Sequence, residues 1–347
     1  MFQVRGFAAA DATEPLAPLS FDRRKPGPPD VRIEILFCGV CHTYLHTVRN
    51  DWRNAVYPIV PGHEIIGRVS EVGASVSKFE VGDIAGVGCL VDSCRRCASC
   101  EADLEQFCEE VPTLTYNSIE RGKTTRTFGG YSEQIVVDER FVVKIPQNLD
   151  LKGAAPLLCA GITTYSPLKL AKVGPGQKVG VIGLGGLGHM GVKFAKAFGA
   201  HVTMITTSPE KGKDAVRLGA DAVLVSTDAD AMAKQANAFH FLLNTIPVSH
   251  DPNPYLALLG LDGAMSLVGA LTPLAPVPGI ALMRRRRSMT GSIIGGLAET
   301  QDMMNFCGEK GIVADVETIR MGDINEAYAR LMKNDVRYRF VIDMSTL

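Results

Sequence analysis

The segment Gly39-Val40-Cys41-His42-Thr43-Tyr44-Leu45-His46 holds a thiol, two imidazoles and a threonine hydroxyl in one short run. Further along lie His63, in Pro61-Gly62-His63-Glu64, and Cys159, in Leu158-Cys159-Ala160-Gly161. Two cysteines and a histidine make the three-ligand set of a catalytic zinc, with the fourth position open to water or substrate. Spacing alone leaves a second reading for each, as a buried cysteine or a core histidine with its hydrogen bonds satisfied.

Cys94-x-x-Cys97-x-x-Cys100-x7-Cys108 is a different kind of set. Four thiolates complete a tetrahedral zinc, so such a site is closed and structural, and it can organise a lobe that lacks a core of its own. An iron–sulfur cluster is the competing occupant of a four-cysteine set. Cys38, Cys89 and Cys307 read as small apolar residues of strands or helices.

Gly183-x-Gly185-Gly186-x-Gly188 follows the apolar run Lys178–Ile182 and opens a helical segment. Its glycines permit a tight turn and close approach of a pyrophosphate, cradled by Gly183, Gly185, Gly186, Leu187 and Gly188 at the helix N-terminus. The next strand ends in Thr206-Thr207-Ser208-Pro209-Glu210-Lys211, with no acidic residue at its tip. The hydroxyls of Thr207 and Ser208 and the charge of Lys211 suit a ribose 2′-phosphate, which favours NADP(H) over NAD. A shifted register would instead bring Glu210 to the ribose, leaving Lys211 a solvated residue at a helix start.

The elements that must position these groups change character near Pro146-Gln147-Asn148-Leu149. Before it, glycine-punctuated strands are expected at Val31–Phe37, Ile65–Val72, Tyr131–Val137 and Phe141–Ile145, the pattern of a partly open β-barrel. Prolines in residues 1–30 favour loops and edge strands. The region 90–130 is polar, cysteine-rich and without periodicity. After the change, a helix is expected over Ala154–Ala171. Strands at 178–182, 201–205, 222–225, 239–244 and 264–268 then alternate with helices, which implies a parallel doubly wound sheet. The expected fold is α/β: a catalytic domain at 1–150 with a zinc lobe near 90–110, a dinucleotide-binding domain at 151–291, and a return to the first domain at 292–347.

The composition excludes several classes. In 347 residues, 46% hydrophobic and 21% charged, a formal charge of -1 leaves no basic field for a nucleic-acid backbone. No apolar run reaches membrane-spanning length. Met1-Phe2-Gln3-Val4-Arg5-Gly6 lacks the layout of a secretory signal, so a cytoplasmic compartment is expected.

Taken in order, Cys-Gly-Val-Cys-His-Thr, Pro-Gly-His-Glu, Val81-Gly82-Asp83, the four-cysteine set, Leu-Cys-Ala-Gly-Ile-Thr-Thr-Tyr and Gly-Leu-Gly-Gly-Leu-Gly-His span nearly the whole chain. In these motifs the sequence resembles the zinc-dependent medium-chain alcohol dehydrogenases, in particular their cinnamyl alcohol dehydrogenase-like NADP(H) branch. The resemblance implies a GroES-like catalytic domain and a Rossmann domain. It implies two zinc ions per chain, one catalytic on Cys41, His63 and Cys159 with Glu64 beside it, and one structural on Cys94, Cys97, Cys100 and Cys108. It further implies that Thr43 bonds the substrate oxygen, His46 relays the proton, Thr163 packs on the nicotinamide, His42 lies beside the cofactor, and Trp52 and Leu90 line the substrate pocket. The implied reaction interconverts small aromatic or aliphatic aldehydes and primary alcohols, in a homodimer joined through its cofactor domains.

Two positions depart from that pattern. The family has Asp where this chain has Tyr44, and loss of a carboxylate supporting a metal-bound imidazole predicts weaker zinc binding or slower turnover. His240 also replaces an Asp. Two other readings follow: a polyol or formaldehyde dehydrogenase of the same superfamily, or a zinc- and NADP-binding protein with impaired catalysis. The run Arg284–Arg287 reads as a solvated face or a domain-edge contact.

Overall fold

The computed structural model describes residues 1–269 and 272–347. Its proline-marked beginning is an antiparallel hairpin of β1 (Phe2–Ala8) and β2 (Ala17–Arg23). β3 (Asp30–Gly39) alternates Val31, Ile33 and Ile35 toward the core. It runs straight into a short helix, α1 (His42–Val48), which the sequence had not marked. Cys41 is the N-cap of α1 in extended conformation, with no side-chain cap hydrogen bond, so its sulfur is left for other contacts.

β4 (Ile65–Val72) pairs antiparallel with β3, setting Cys38 opposite Ile65 and bringing the Pro61–Glu64 segment alongside Gly39. β5 (Ile84–Val87) continues the sheet, and β6 (Leu90–Asp92) pairs with β7 (Thr113–Leu114) at the edge of the cysteine-rich lobe. That lobe contains one turn of helix, α2 (Ala98–Glu101). β8 (Gln134–Asp138) pairs with β3, and β9 (Val143–Lys144) with β5.

The helix expected over 154–171 is broken into three pieces. These are α2's successor α3 (Leu151–Ala154), a 3-10 turn over Ala155–Leu158, and α4 (Ala160–Leu170). Pro156 lies at the start of the turn and has no N–H to give. Cys159 then sits at φ -133 and ψ -71, outside the helical region, and its thiol leaves the helical row.

The chain divides at this break. One unit is Met1–Cys159 with Gly295–Leu347, and the other is Ala160–Ile294. The division falls after 159 and not after 150, because α3 packs with the first unit, where Gly153 accepts a hydrogen bond from the Ala314 amide.

The second unit is a six-stranded parallel sheet ordered β12-β11-β10-β13-β14-β15. Its members are β10 (Lys178–Ile182), β11 (His201–Thr206), β12 (Ala222–Val225), β13 (Phe239–Asn244), β14 (Leu259–Leu267) and β15 (Ser288–Gly291). Strand order reverses between β10 and β13, the switch point at which open α/β sheets bind ligands. α5 (Gly188–Ala197) follows β10, and α6 (Pro209–Arg217) follows β11. Ile182, Ile205, Phe239, Leu242 and Met265 belong to its buried core.

Returning to the first unit, β16 (Val316–Arg320) and β17 (Arg339–Asp343) extend its sheet to β16-β17-β3-β4-β5-β9, with β8 also on β3. β17 lies antiparallel to β3, with Val341 opposite Gly39.

Candidate active site

The four-cysteine set is assembled as the spacing predicts. One sulfur from each of Cys94, Cys97, Cys100 and Cys108 lies within 4.8 Å of every other. The Cys94 and Cys100 sulfurs are 3.8 Å apart. Zinc–sulfur bonds of about 2.3 Å in a tetrahedron place ligand sulfurs about 3.8 Å from one another, so a single zinc fits. A polynuclear iron–sulfur cluster needs a wider cage. Backbone amides support the sulfurs: Cys97 donates to Cys94 at 3.3 Å, Cys94 to Cys108 at 3.3 Å and Glu109 to Cys97 at 3.5 Å. All nine cysteines are free thiols.

Cys41, His63, Glu64 and Cys159 form the second cluster, all buried, with their ligand atoms again within 4.8 Å of one another. Cys41 arrives from the end of β3, His63 and Glu64 from the extended segment before β4, and Cys159 from the break before α4. The Cys41 and Cys159 sulfurs are 3.9 Å apart, the same tetrahedral spacing. His63 Nε2 is buried without a hydrogen-bond partner. Two close thiols and an orphaned imidazole nitrogen are what a zinc ion would satisfy. The hydrogen bond from Cys159 pulls the Cys41 thiol well below its ordinary range, and the same contact holds the Cys159 thiol well above. Metal binding releases such a shared proton.

Glu64 is completely buried, and its carboxylate reaches over Gly39, where a Cβ would overlap Glu64 Oε2. Glu64 Oε1 is ion-paired with Arg339 from β17. Burial pushes the Glu64 carboxyl up to about 8 against the pull of Arg339, whereas Arg339 itself is held above its ordinary value despite burial, with Glu64 the largest favourable influence. Glu64 and Arg339 are paired as ions, because a neutral Glu64 would leave a buried guanidinium uncompensated.

Tyr44 lies under this cluster with no exposed surface. Its hydroxyl accepts the backbone N–H of His63 at 2.7 Å, and its ring meets the His63 imidazole edge-on at 4.8 Å. Tyr116 and Tyr131 also pack edge-on against it. Burial drives its pKa well above 10, so it contributes no negative charge. Tyr44 therefore fixes the His63 backbone and wedges the ring without acting as a carboxylate partner of the imidazole.

Thr43 and His46 are three residues apart on α1 and share a face of it. Thr43 Oγ1 lies 3.3 Å from Cys41 Sγ. His46 is partly exposed, and its Nδ1 is 2.8 Å from a carboxylate oxygen of Asp51, itself at the surface. The Trp52 ring stacks obliquely near His46 at 5.3 Å. Leu90 is buried at the start of β6. His42 is half-buried, and desolvation lowers its pKa.

Three residues of the neighbourhood escaped the sequence reading. Cys89, read as a small apolar residue, lies half-buried near this cluster, and the influence of Cys159 and His63 holds its thiol down to about 6. Arg339 and Asp51 are the others. The motif Gly88-Cys89 gave no signal, since nothing in its spacing points to a metal.

In the second unit, Gly183 ends β10 at φ +90, a conformation that favours glycine. A Cβ on Gly188 would overlap the Gly183 carbonyl, so the turn can close only with glycine there. Thr245 Oγ1 ties the turn by donating to the Ile182 and Gly183 carbonyls. Gly185, Gly186 and Leu187 form the bend before α5. Ser208 caps α6, accepting from the Lys211 amide at 3.4 Å, and Thr207 and Lys211 are exposed beside it. Glu210 faces solvent and pairs with Lys213 at 3.1 Å. Thr163 is buried in α4. His240 on β13 accepts the Lys178 amide at 2.9 Å, tying it to the start of β10. Of the arginine run, Arg286 clasps Asp262, and Arg287 donates to the Leu259 and Ala281 carbonyls.

Residues 27–147 match the family model for the alcohol dehydrogenase GroES-like domain, and residues 186–309 that for zinc-binding dehydrogenases. The chain is 53% identical to aldehyde reductase YahK of Escherichia coli (strain K12) over 99% of both sequences. The fold superimposes on a cinnamyl alcohol dehydrogenase from Sorghum bicolor with a TM-score of 0.95 at 49% identity, covering 99% of this chain and 98% of that one. It matches the enzyme from Helicobacter pylori complexed with NADP(H) with a TM-score of 0.92 at 40% identity, over 99% and 98% of the two chains. The chain belongs to the zinc-binding alcohol dehydrogenases, enzymes built from a GroES-like and a Rossmann domain.

Proposed function

We propose that this enzyme interconverts small aldehydes, aromatic or aliphatic, and their primary alcohols with NADP(H). The observation that carries the reading is the buried convergence of Cys41, His63, Glu64 and Cys159, on a chain half identical to an aldehyde reductase. Cys41, His63 and Cys159 are the catalytic-zinc ligands in this reading, and Cys94, Cys97, Cys100 and Cys108 the structural ones. Bound zinc supplies Lewis acidity toward a carbonyl oxygen, and the nicotinamide supplies the hydride.

The chain's own residues do the rest. Thr43 holds the substrate oxygen and exchanges its proton with it. His46 takes that proton on toward Asp51 and water, since the pair reaches the surface. Glu64, anchored by Arg339, keeps a negative charge beside the metal ligands. Trp52 and Leu90 bound the substrate, and Thr163 and His42 orient the nicotinamide. The turn Gly183, Gly185, Gly186, Leu187 and Gly188 carries the pyrophosphate. Thr207, Ser208 and Lys211 take the 2′-phosphate, and the outward pairing of Glu210 with Lys213 supports NADP(H) over NAD.

A homodimer is part of the same reading. It is supported by the open edge of β15 and by exposed Leu261, Ile280 and Met283 in the same unit.

The deciding assay is a panel of aromatic and aliphatic aldehydes with NADPH and NADH side by side. Expected are NADPH consumption with several aldehydes, much weaker use of NADH, and loss of activity in Cys41→Ala. No consumption across the panel by protein carrying two zinc ions per chain would instead favour a binding protein with impaired catalysis.

A further inference from the structure

A separate cavity of about 260 Å³ lies in the first unit and includes none of the cysteine, histidine or glutamate residues of either metal cluster. Its lining has six cationic side chains, Arg23, Arg24, Arg95, Arg121, Lys123 and Arg126, against four carboxylates. The carboxylates are already engaged: Asp30 by Arg24, Asp92 and Asp138 by Arg95, and Glu120 by Arg24 and Lys123. Arg121 turns to Glu110, outside the lining.

Arg23 and Arg126 have no carboxylate within ion-pair distance among the described residues. One terminal nitrogen of Arg23 donates to the Phe128 and Gly129 carbonyls and to Ser132 Oγ, at 2.9 to 3.0 Å. Its Nε is buried with no partner, and so is the Nε of Arg121. Arg126 donates to the Tyr57 carbonyl. Neutral acceptors do not offset a half-buried guanidinium charge, and desolvation accordingly pulls the Arg23 pKa down to about 9. Surplus charge and unused N–H donors therefore belong to side chains that line one polar space.

We propose that this cavity binds a small oxyanion of the phosphate class through Arg23, Arg121 and Arg126. Guanidinium forks match the geometry and charge of a phosphoryl group, and such charge-assisted bonds would take up both the orphaned donors and the excess charge. The space exceeds one tetrahedral oxyanion, so inorganic phosphate and the phosphoryl end of a phosphomonoester carry the same recognisable chemistry.

The test uses the full chain with its zinc, titrated calorimetrically with inorganic phosphate against chloride at constant ionic strength. Each titration is run with and without saturating NADPH, which separates phosphate binding at the nucleotide turn. Expected is one saturable event per chain that persists with NADPH present. It should weaken at least tenfold in both Arg126→Gln and Arg121→Gln, with zinc content unchanged. Since Arg23 also ties three chain groups together, these two variants carry the test, and either suffices if the other fails to fold. Glycerol phosphate in a parallel arm reads the source: tighter binding than phosphate points to a phosphomonoester, equal binding to the free ion. Absence of a saturable event, or equal affinity in a folded variant, overturns the proposal.

Discussion

Tyr44 is where the sequence motif leads one to expect a carboxylate, and the geometry gives it a definite task. Its hydroxyl is the acceptor for the His63 amide. Tyr44→Phe keeps the ring and strands that N–H in a buried setting, which costs about 1–3 kcal/mol. Urea unfolding of the zinc-loaded protein should show that loss, and an unchanged midpoint would mean the hydrogen bond contributes nothing. Tyr44→Asp exchanges ring packing for charge near the imidazole. It should strengthen retention of the catalytic zinc by roughly 10–100-fold if the missing carboxylate matters as such partners usually do. Competition with a chelator measures this, and equal retention would remove Tyr44 as a cause of weak metal binding. At this scale the sequence made legible the candidate ligands that local spacing brings together, as in Cys94 to Cys108, or that a motif carries, as at Cys41 and His63. Arg339 was not, because it meets Glu64 from 275 residues away with no local pattern to announce it. Cys89 was missed for a related reason: a lone cysteine between two strands looks like any small buried side chain.

Breaks and joints in the elements do as much as the elements themselves. An unbroken helix through 154–171 would have kept Cys159 in a helical row. The stretch reads as helix-compatible because it is rich in Ala and Leu; of its two prolines, Pro167 is accommodated inside α4 and Pro156 falls at the break. The parallel sheet was easier to foresee, since its strands are short apolar runs between clear turns. The join between β8 and β9 makes a different kind of prediction. Asp138 caps the turn at Glu139–Phe141 and pairs with Arg95 and Arg140. Burial raises its pKa, but hydrogen bonds from Arg140 and the charges of Arg140 and Arg95 outweigh this, and the net direction is down. A carboxylate depressed in the folded state stabilises it above the unfolded value near pH 4, and that stability is lost as pH falls through the folded pKa. Melting temperatures taken from pH 6 to pH 3 should fall less steeply in Asp138→Asn than in the parent. Parallel acid limbs would show that Asp138 does not titrate as described.

For the whole molecule, the pattern of alternating strands and helices after residue 150 made two units legible, while the exact division at Cys159 depended on tertiary contacts of α3 that no local pattern encodes. The edge of β15 gives the assembly prediction. Sedimentation should report a dimer, and Met283→Lys, which puts a charge on the exposed apolar face of this unit, should shift it toward monomer. A monomeric parent protein would end the dimer reading.

The four buried side chains proposed to hold or adjoin the catalytic metal all lie in the first unit. Apart from His42, the residues assigned to the nucleotide lie in Ala160–Ile294, one uninterrupted stretch. Recombination with two crossovers can exchange that stretch between relatives without replacing a metal ligand. Cofactor choice and metal retention are thus separately heritable traits, and a lineage can change its source of reducing power while its metal chemistry stays under older selection.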